Sequence, residues 1–381
     1  MQFKLKKTFL VHIALLLIPF IVSQIVLATV LQYMHYNYFN PENWARFDSW
    51  LYLQIADTGY EIFPCAGHFG YPADATEICG NCGWFPGYPL LISFFGLFFK
   101  NTLIIAGLLS KIFHLLSLYM LIGITNMQIF SLKNILILTI AAFSFSFVYF
   151  NAIFPISALL FFSLSAFYFY LKNNSWVTGL FCFLSSAFYP VGILLSAVFA
   201  LSILLKINLS LKKRITSLMI PATMGLLGFV FVLLFFQITV NDWAAFFKVQ
   251  AKYGHGYNFP LVSMVSFFQK KPLFSNVTIE SFVQYQSLLI IMGYTLLSII
   301  FFYKRMYTND FSLWVYIFIS VFFLFSWSIE GDLSRYRQEA LLMPFVLLVK
   351  ETKIRWLAVI LLWLLAMGIP ISYLFFNGSL I

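Results

Sequence analysis

Charge is what this chain of 381 residues has least of. Only 9% of its residues are Asp, Glu, Lys or Arg, against roughly 25% in a soluble domain. With 62% hydrophobic residues, there is more apolar surface than a water-soluble core can absorb. A soluble enzyme or a nucleic-acid-binding domain is thereby excluded, and lipid must be the solvent. The chain also lacks a low-complexity linker, a short-period repeat, a soluble domain and a nucleotide-binding motif. The apolar stretch after Met1–Lys7 is too long for a signal peptide and has no small-residue cleavage site behind it, so it reads as a retained first helix.

What is present is a series of long apolar runs. Residues 8–31, 102–124, 134–150, 215–240, 282–303 and 356–376 are each near the ~20 residues that a helix needs to cross hydrocarbon. Residues 85–99, 155–171, 176–205, 311–328 and 340–349 are shorter, longer or interrupted by proline. Together they predict one membrane-embedded, all-α polytopic domain over residues 1–381 with about eleven crossings. The basic clusters Lys4/Lys6/Lys7, Lys206/Lys212/Lys213/Arg214, Lys304/Arg305 and Lys350/Lys353/Arg355 then fall on one side, the cytoplasm by the positive-inside rule. All of the thirteen acids except Asp310 and Glu351 fall on the other. The net charge of +10 is therefore a topology signal, and no nucleic-acid partner follows from it.

Three non-cytoplasmic stretches are expected at residues 32–86, 241–281 and 329–339. In the first, Asn40-Pro41-Glu42 has the chemistry of a helix start, an Asn cap followed by Pro and an acid. Gly59 is a plausible stop. Between them Trp44, Phe47, Leu51 and Ile55 recur at helical spacing, which predicts an amphipathic helix over about residues 41–58 lying flat on the membrane face. Tyr38, Trp44, Trp50, Tyr52 and Tyr60 supply interfacial aromatics. Asp48 falls four residues from both Trp44 and Tyr52, a setting that suits a carboxylate to accept a proton from a hydroxyl. Arg46, on another face, is suited to a phosphate. The bland reading of Asp48 is an exposed loop acid or the cap of a shorter helix.

Residues Arg46 to Tyr60 (RFDSWLYLQIADTGY) and Trp84 to Leu90 (WFPGYPL) resemble the glycosylphosphatidylinositol mannosyltransferase II family and its prokaryotic relatives. These are multi-helix glycosyltransferases of the GT-C architecture that take a sugar from a polyprenyl-phosphate donor. The resemblance implies that Asp48 is the catalytic base or orients the acceptor. Weaker echoes lie in residues 242–260 (Phe246, Gln250, Tyr253, Pro260) and in Ser334-Arg335-Tyr336, where a cation could meet the donor phosphate. Two departures stand out. Phe154-Pro155-Ile156-Ser157 replaces a stretch that in relatives carries an acid, and Phe188-Tyr189-Pro190-Val191-Gly192 replaces one that carries a cation.

The resemblance implies an inverting, mannosyltransferase-like enzyme acting on the non-cytoplasmic face. Its acceptor is a lipid or a glycan, and no cofactor is required for catalysis. Asp48 is the expected base, with Arg46, Trp50, Tyr52, Arg335, Tyr336 and His255 around donor and phosphate. A bacterial plasma membrane fits the compact length better than the endoplasmic reticulum. The rivals are a lipid or polyprenol transporter, for which Lys111 and His114 in one helix would matter more, and an inactive family member serving a partner subunit as scaffold. Solvated pairing of Arg335 and Arg337 with Glu330, Asp332 and Glu339 is the bland reading of the third loop.

Cys65, His68, Cys79 and Cys82, spanning residues 65–82, have the spacing of a structural zinc site, C-x2-H and C-x2-C. An oxidising compartment instead favours a disulfide among Cys65, Cys79 and Cys82. Either would staple the loop ahead of Trp84. Cys182 and His12 read as packing residues.

Overall fold

The computed structural model describes residues 2–205, 210–254, 256–270, 281–329 and 335–380. It is an all-α bundle. Its helices are α1 (Gln2–Tyr33), α2 (Ser49–Thr58), α3 (Gly87–Gly96), α4 (Thr102–Thr125), α5 (Leu132–Ala142), α6 (Ile156–Leu171), α7 (Ser175–Phe188) and α8 (Leu194–Leu205). There follow α9 (Leu211–Val240), α10 (Ala245–Ala251), α11 (Pro260–Lys270), α12 (Ser281–Tyr303), α13 (Asp310–Ser328), α14 (Arg335–Glu339), α15 (Val346–Val349) and α16 (Ile354–Phe376). The strands described are β1 (Ile62–Pro64) and β2 (Ile78–Gly80), an antiparallel pair within the first loop. Among the described residues six helices are long and apolar enough to cross a membrane: α1, α4, α9, α12, α13 and α16.

The direction of each helix follows from its contacts. His12, near the start of α1, meets the Met127 carbonyl just beyond the end of α4 at 3.0 Å. The start of α4 meets the first loop, where the Thr102 hydroxyl donates to Asp57. So α4 returns antiparallel to α1, and everything from residue 34 to 101 stays on the far side from the N-terminus. This corrects the expected crossing over residues 85–99. Ten residues of α3 span only about 15 Å, half the hydrocarbon thickness. The helix lies instead on α2 and α4, with the Ser93 hydroxyl donating to the Ala56 carbonyl (2.7 Å) and the Tyr88 hydroxyl to the Ala106 carbonyl (2.8 Å).

The expected spans need a second correction. Residues 176–205, expected as one long span, form the hairpin of α7 and α8, turning at Tyr189-Pro190. Proline offers no amide hydrogen to continue α7. Gly192 packs so tightly on the turn that a Cβ there would lie 2.0 Å from the Ser185 carbonyl oxygen. The two helices have 14 and 12 residues and are among the shorter apolar helices of the bundle. Aromatic rings fill the core: Phe167 stacks on Trp314 at 3.9 Å, and Tyr149, Phe154 and Phe375 pack edge to face beneath the far-side loops.

Candidate active site at the outer end of the bundle

The first loop opens as its chemistry predicts: the Asn40 side chain accepts from the Glu42 amide at 3.1 Å and a 3-10 turn runs over Pro41–Trp44. The helix expected over residues 41–58 does not continue. Ala45 is extended and Phe47 takes a left-handed φ of 52°. The carbonyls that would propagate the helix are taken by other partners, one of them distant in sequence. Trp44 accepts from the Ile153 amide at 3.0 Å, and the Arg46 guanidinium caps the Glu42 and Ala45 carbonyls. With its remaining nitrogens Arg46 holds the Phe376 carbonyl, at 3.2 and 3.0 Å, where α16 ends. Every nitrogen of the guanidinium thus bonds backbone, and Arg46 ties the loop to α16. Nor does the stripe lie open to lipid: Trp44 and Ile55 are buried, and Phe47 and Leu51 pack partly buried against the core.

The break puts Asp48 at the N-cap of α2. An Asp there ordinarily accepts from the helix's first amides, yet the Asp48 side chain makes no capping bond. Its carboxylate pairs with the Arg337 guanidinium of α14. Arg337 lies over the Phe154 ring at 5.2 Å. Burial works against its charge, but Asp48, with Tyr189 and Tyr149, outweighs burial and holds the guanidinium more firmly protonated than usual. Around the pair stand phenols. Tyr52 packs edge-on against Tyr88 (5.6 Å) and Phe154 (6.3 Å), and burial, then Tyr189 and Asp48, push its acidity far from neutral pH. Tyr253 is pushed up to about 12, by burial first and then Asp48. These hydroxyls stay protonated and able to donate to an oxyanion.

Arg335, one position before Tyr336, is clasped between ring faces, 3.9 Å from Trp327 of α13 and 4.3 Å from Phe267 of α11. Tyr336 stacks on Tyr149 at 5.9 Å. Behind them the buried Glu339 accepts from Gln286 and Ser287, both at 2.6 Å. Burial raises its pKa, opposed by those two bonds and by Arg335. The solvated-loop reading of Arg335 and Arg337 is thus overturned: both are drawn inside by rings and carboxylates. Glu330, Asp332 and His255 lie outside the described residues. Trp50 points outward, half exposed, and belongs to no part of this cluster.

Sequence reasoning missed Arg337, Glu339, Tyr149 and Tyr189 as members. Both departure segments border the site, Phe154 beneath Arg337 and Tyr189 within reach of its charge. The available signal was Arg-x-Arg-x-Glu over residues 335–339, three ionisable groups close to apolar spans, which are costly there without partners.

Cys65 and Cys79 are joined as a disulfide across the end of the β1–β2 hairpin. That takes two sulfurs out of the zinc set. Among the described residues no group of three or more His, Cys, Asp or Glu is placed to hold a metal. His68 packs its ring on Phe63. Cys82 is buried against the Glu61 carbonyl at 3.5 Å, its thiol pushed up to about 12 by burial, Asp242 and Glu61. The staple positions the run before α3: Asn81 bonds both the Glu61 amide and the Gly59 carbonyl, Tyr60 donates to the Trp84 carbonyl, and Gln250 to that of Gly83. With a sequence separation of 14, Cys65→Ser/Cys79→Ser is expected to cost about 3 kcal/mol by the loop-closure relation. Denaturation in detergent with and without reductant measures it, and alkylation at neutral pH should leave Cys82 unmodified until the protein unfolds.

Lys111 and His114 lie apart from the Asp48–Arg337 pair. Lys111 reaches back over the Trp44 ring (4.2 Å) and Tyr38 (5.0 Å). His114 meets Asn151 at 3.3 Å, and Asn151 in turn accepts from Gln24. They brace the floor of the first loop.

The fold and this cluster define an all-α polytopic membrane protein with a charged, aromatic-lined site at one end of its bundle. No family model and no curated protein matches the sequence. Among solved structures the chain is similar to the Archaeoglobus fulgidus oligosaccharyltransferase crystallised with zinc and sulfate, at 12% identity and a TM-score of 0.49, over 95% of this chain and 53% of that one. It is similar also to the archaeal oligosaccharyltransferase AglB of Archaeoglobus fulgidus in complex with an inhibitory peptide and a dolichol-phosphate, at 11% identity and a TM-score of 0.49, over 97% of this chain and 56% of that one. The chain spans about half the length of these structures.

Proposed function

We propose that the protein is an integral membrane glycosyltransferase, mannosyltransferase-like, that moves a sugar from a polyprenyl-phosphate donor to a lipid or glycan acceptor on the non-cytoplasmic face. The N-terminus then lies in the cytoplasm, and the membrane is a bacterial plasma membrane. The observation that carries this reading is Asp48. It starts a helix without capping it and turns its carboxylate to Arg337 among protonated tyrosines. The resemblance of residues 46–60 and 84–90 to a glycosyltransferase family falls on the same segment.

In this reading Asp48 takes the proton from an acceptor hydroxyl. The hydroxyl oxygen forms a bond to the anomeric carbon from the side opposite the phosphate. The bond from that carbon to the phosphate oxygen breaks, its electron pair leaves with polyprenyl phosphate, and the anomeric configuration inverts. Arg337 orients the Asp48 carboxylate until acceptor arrives. Arg335 is the cation for the developing phosphate charge, a role that the sequence left between it and Arg46. Purified protein in liposomes, supplied with polyprenyl-phospho-hexoses and membrane lipid extract, should release polyprenyl phosphate and form a new glycoside. A wild-type preparation that leaves every such donor intact would sink the reading.

A further inference from the structure

Helix α11 has two faces of opposite character. Ser263 and Phe267 are buried, and Phe267 lies 5.6 Å from Trp327 and 4.3 Å from the Arg335 guanidinium. On the opposite side Leu261, Val262 and Val265 are 60%, 52% and 49% exposed. At about 100° per residue these three fall within less than a third of the helix circumference. The chain leading into it continues the pattern with Tyr257 and Phe259, 80% and 71% exposed. No charged residue interrupts this stripe. Its place is also fixed: the Asn258 amide donates to the Ser328 carbonyl at 2.9 Å, and Tyr257 bridges to Ile329, at the outer end of the membrane-spanning α13.

An apolar stripe held at the level where a spanning helix leaves the hydrocarbon has lipid beside it. We propose that α11 is an interfacial helix whose Leu261–Val262–Val265 stripe is seated in the outer leaflet, so that the membrane itself presses Phe267 onto Arg335. A helix with aliphatic residues on one face and a polar opposite edge binds at the headgroup–acyl boundary through its buried apolar area. The consequence is that one wall of the Arg335 clasp is carried on a spanning helix and the other on a helix borne by lipid.

The test does not depend on any transferase activity. Val262→Cys and Val265→Cys, each carrying a nitroxide, are reconstituted in phosphatidylcholine liposomes; the native free thiols Cys82 and Cys182 are buried and escape labelling. Collision rates with oxygen and with a water-soluble nickel chelate are compared with those of a label at Lys248→Cys, half exposed on α10. Labels at 262 and 265 should meet oxygen several-fold more often than the chelate, with the order reversed at 248. The proposal fails if the chelate reaches 262 and 265 as readily as 248, which places the stripe in water. It fails equally if both reagents are excluded, which means that a protein surface covers it.

Discussion

Asp48→Asn should lower sugar transfer by about 10²–10⁴-fold, the range that a positioned general base contributes, while leaving the protein folded and able to bind donor. The amide is the same size as the carboxylate and can still accept a hydrogen bond from Arg337, so α14 keeps its seat. It cannot take a proton at neutral pH. Initial rates with a polyprenyl-phospho-hexose, measured beside donor binding and thermal stability, separate the cases: kcat should collapse, donor affinity should change little, and the melting transition should remain cooperative. An unchanged kcat would remove Asp48 from the chemistry. The Asp48→Ala variant is less informative, because it removes the carboxylate from a charge pair mostly shielded from solvent and confounds chemistry with folding.

This substitution can be specified in such detail because the part of the site around Asp48 is local. Asn40 and Pro41 start a turn by their own chemistry, Asp48 and Tyr52 lie on consecutive turns, and the Cys spacing announces a staple. Each of these relations spans a few residues. The helix break at Ala45–Phe47 was not legible, because what stops the helix is the Ile153 amide on Trp44 and the Phe376 carbonyl on Arg46. Both partners are contributed from other parts of the bundle. Arg337 was hidden for the same reason, lying 289 positions from Asp48. Charge rules applied along the sequence paired it with the acids beside it, and those rules count exposed neighbours, whereas Arg337 is drawn inward to the Phe154 ring. The apolar count erred at residues 85–99 and 176–205, where hydropathy alone does not register that ten residues are too few to cross or that Pro190 allows a hairpin. That α3 and the α7–α8 turn both end up against Asp48's loop is what seats the phenols. Gly87 packs directly under Phe188, next to Tyr189.

Arg337→Ala should be the most damaging single change to stability among the site residues. The pair is mostly shielded from solvent, with side-chain exposures of 15% for Arg337 and 27% for Asp48, and removing one partner of a shielded pair typically costs about 3 kcal/mol or more. The loss should appear as a lower melting temperature in detergent together with a kcat reduced by about 10²-fold, the scale of a catalytic group displaced from its working geometry. Arg337→Lys should recover part of the stability and less of the rate, because an ammonium cannot reproduce the guanidinium's planar fork toward a carboxylate. The decisive variant is Asp48→Asn/Arg337→Met. With the carboxylate neutralised, the apolar thioether can rest on Phe154 and most of the lost stability should return, while transfer stays abolished. Stability returning without activity means that the ion pair exists to hold a base ready rather than to hold the fold together, and this is the arrangement expected where buried charge is kept for chemistry. If the double variant is no more stable than Arg337→Ala, the guanidinium supports α14 through contacts other than Asp48. The pair would then be a consequence of the fold and not its catalytic centre.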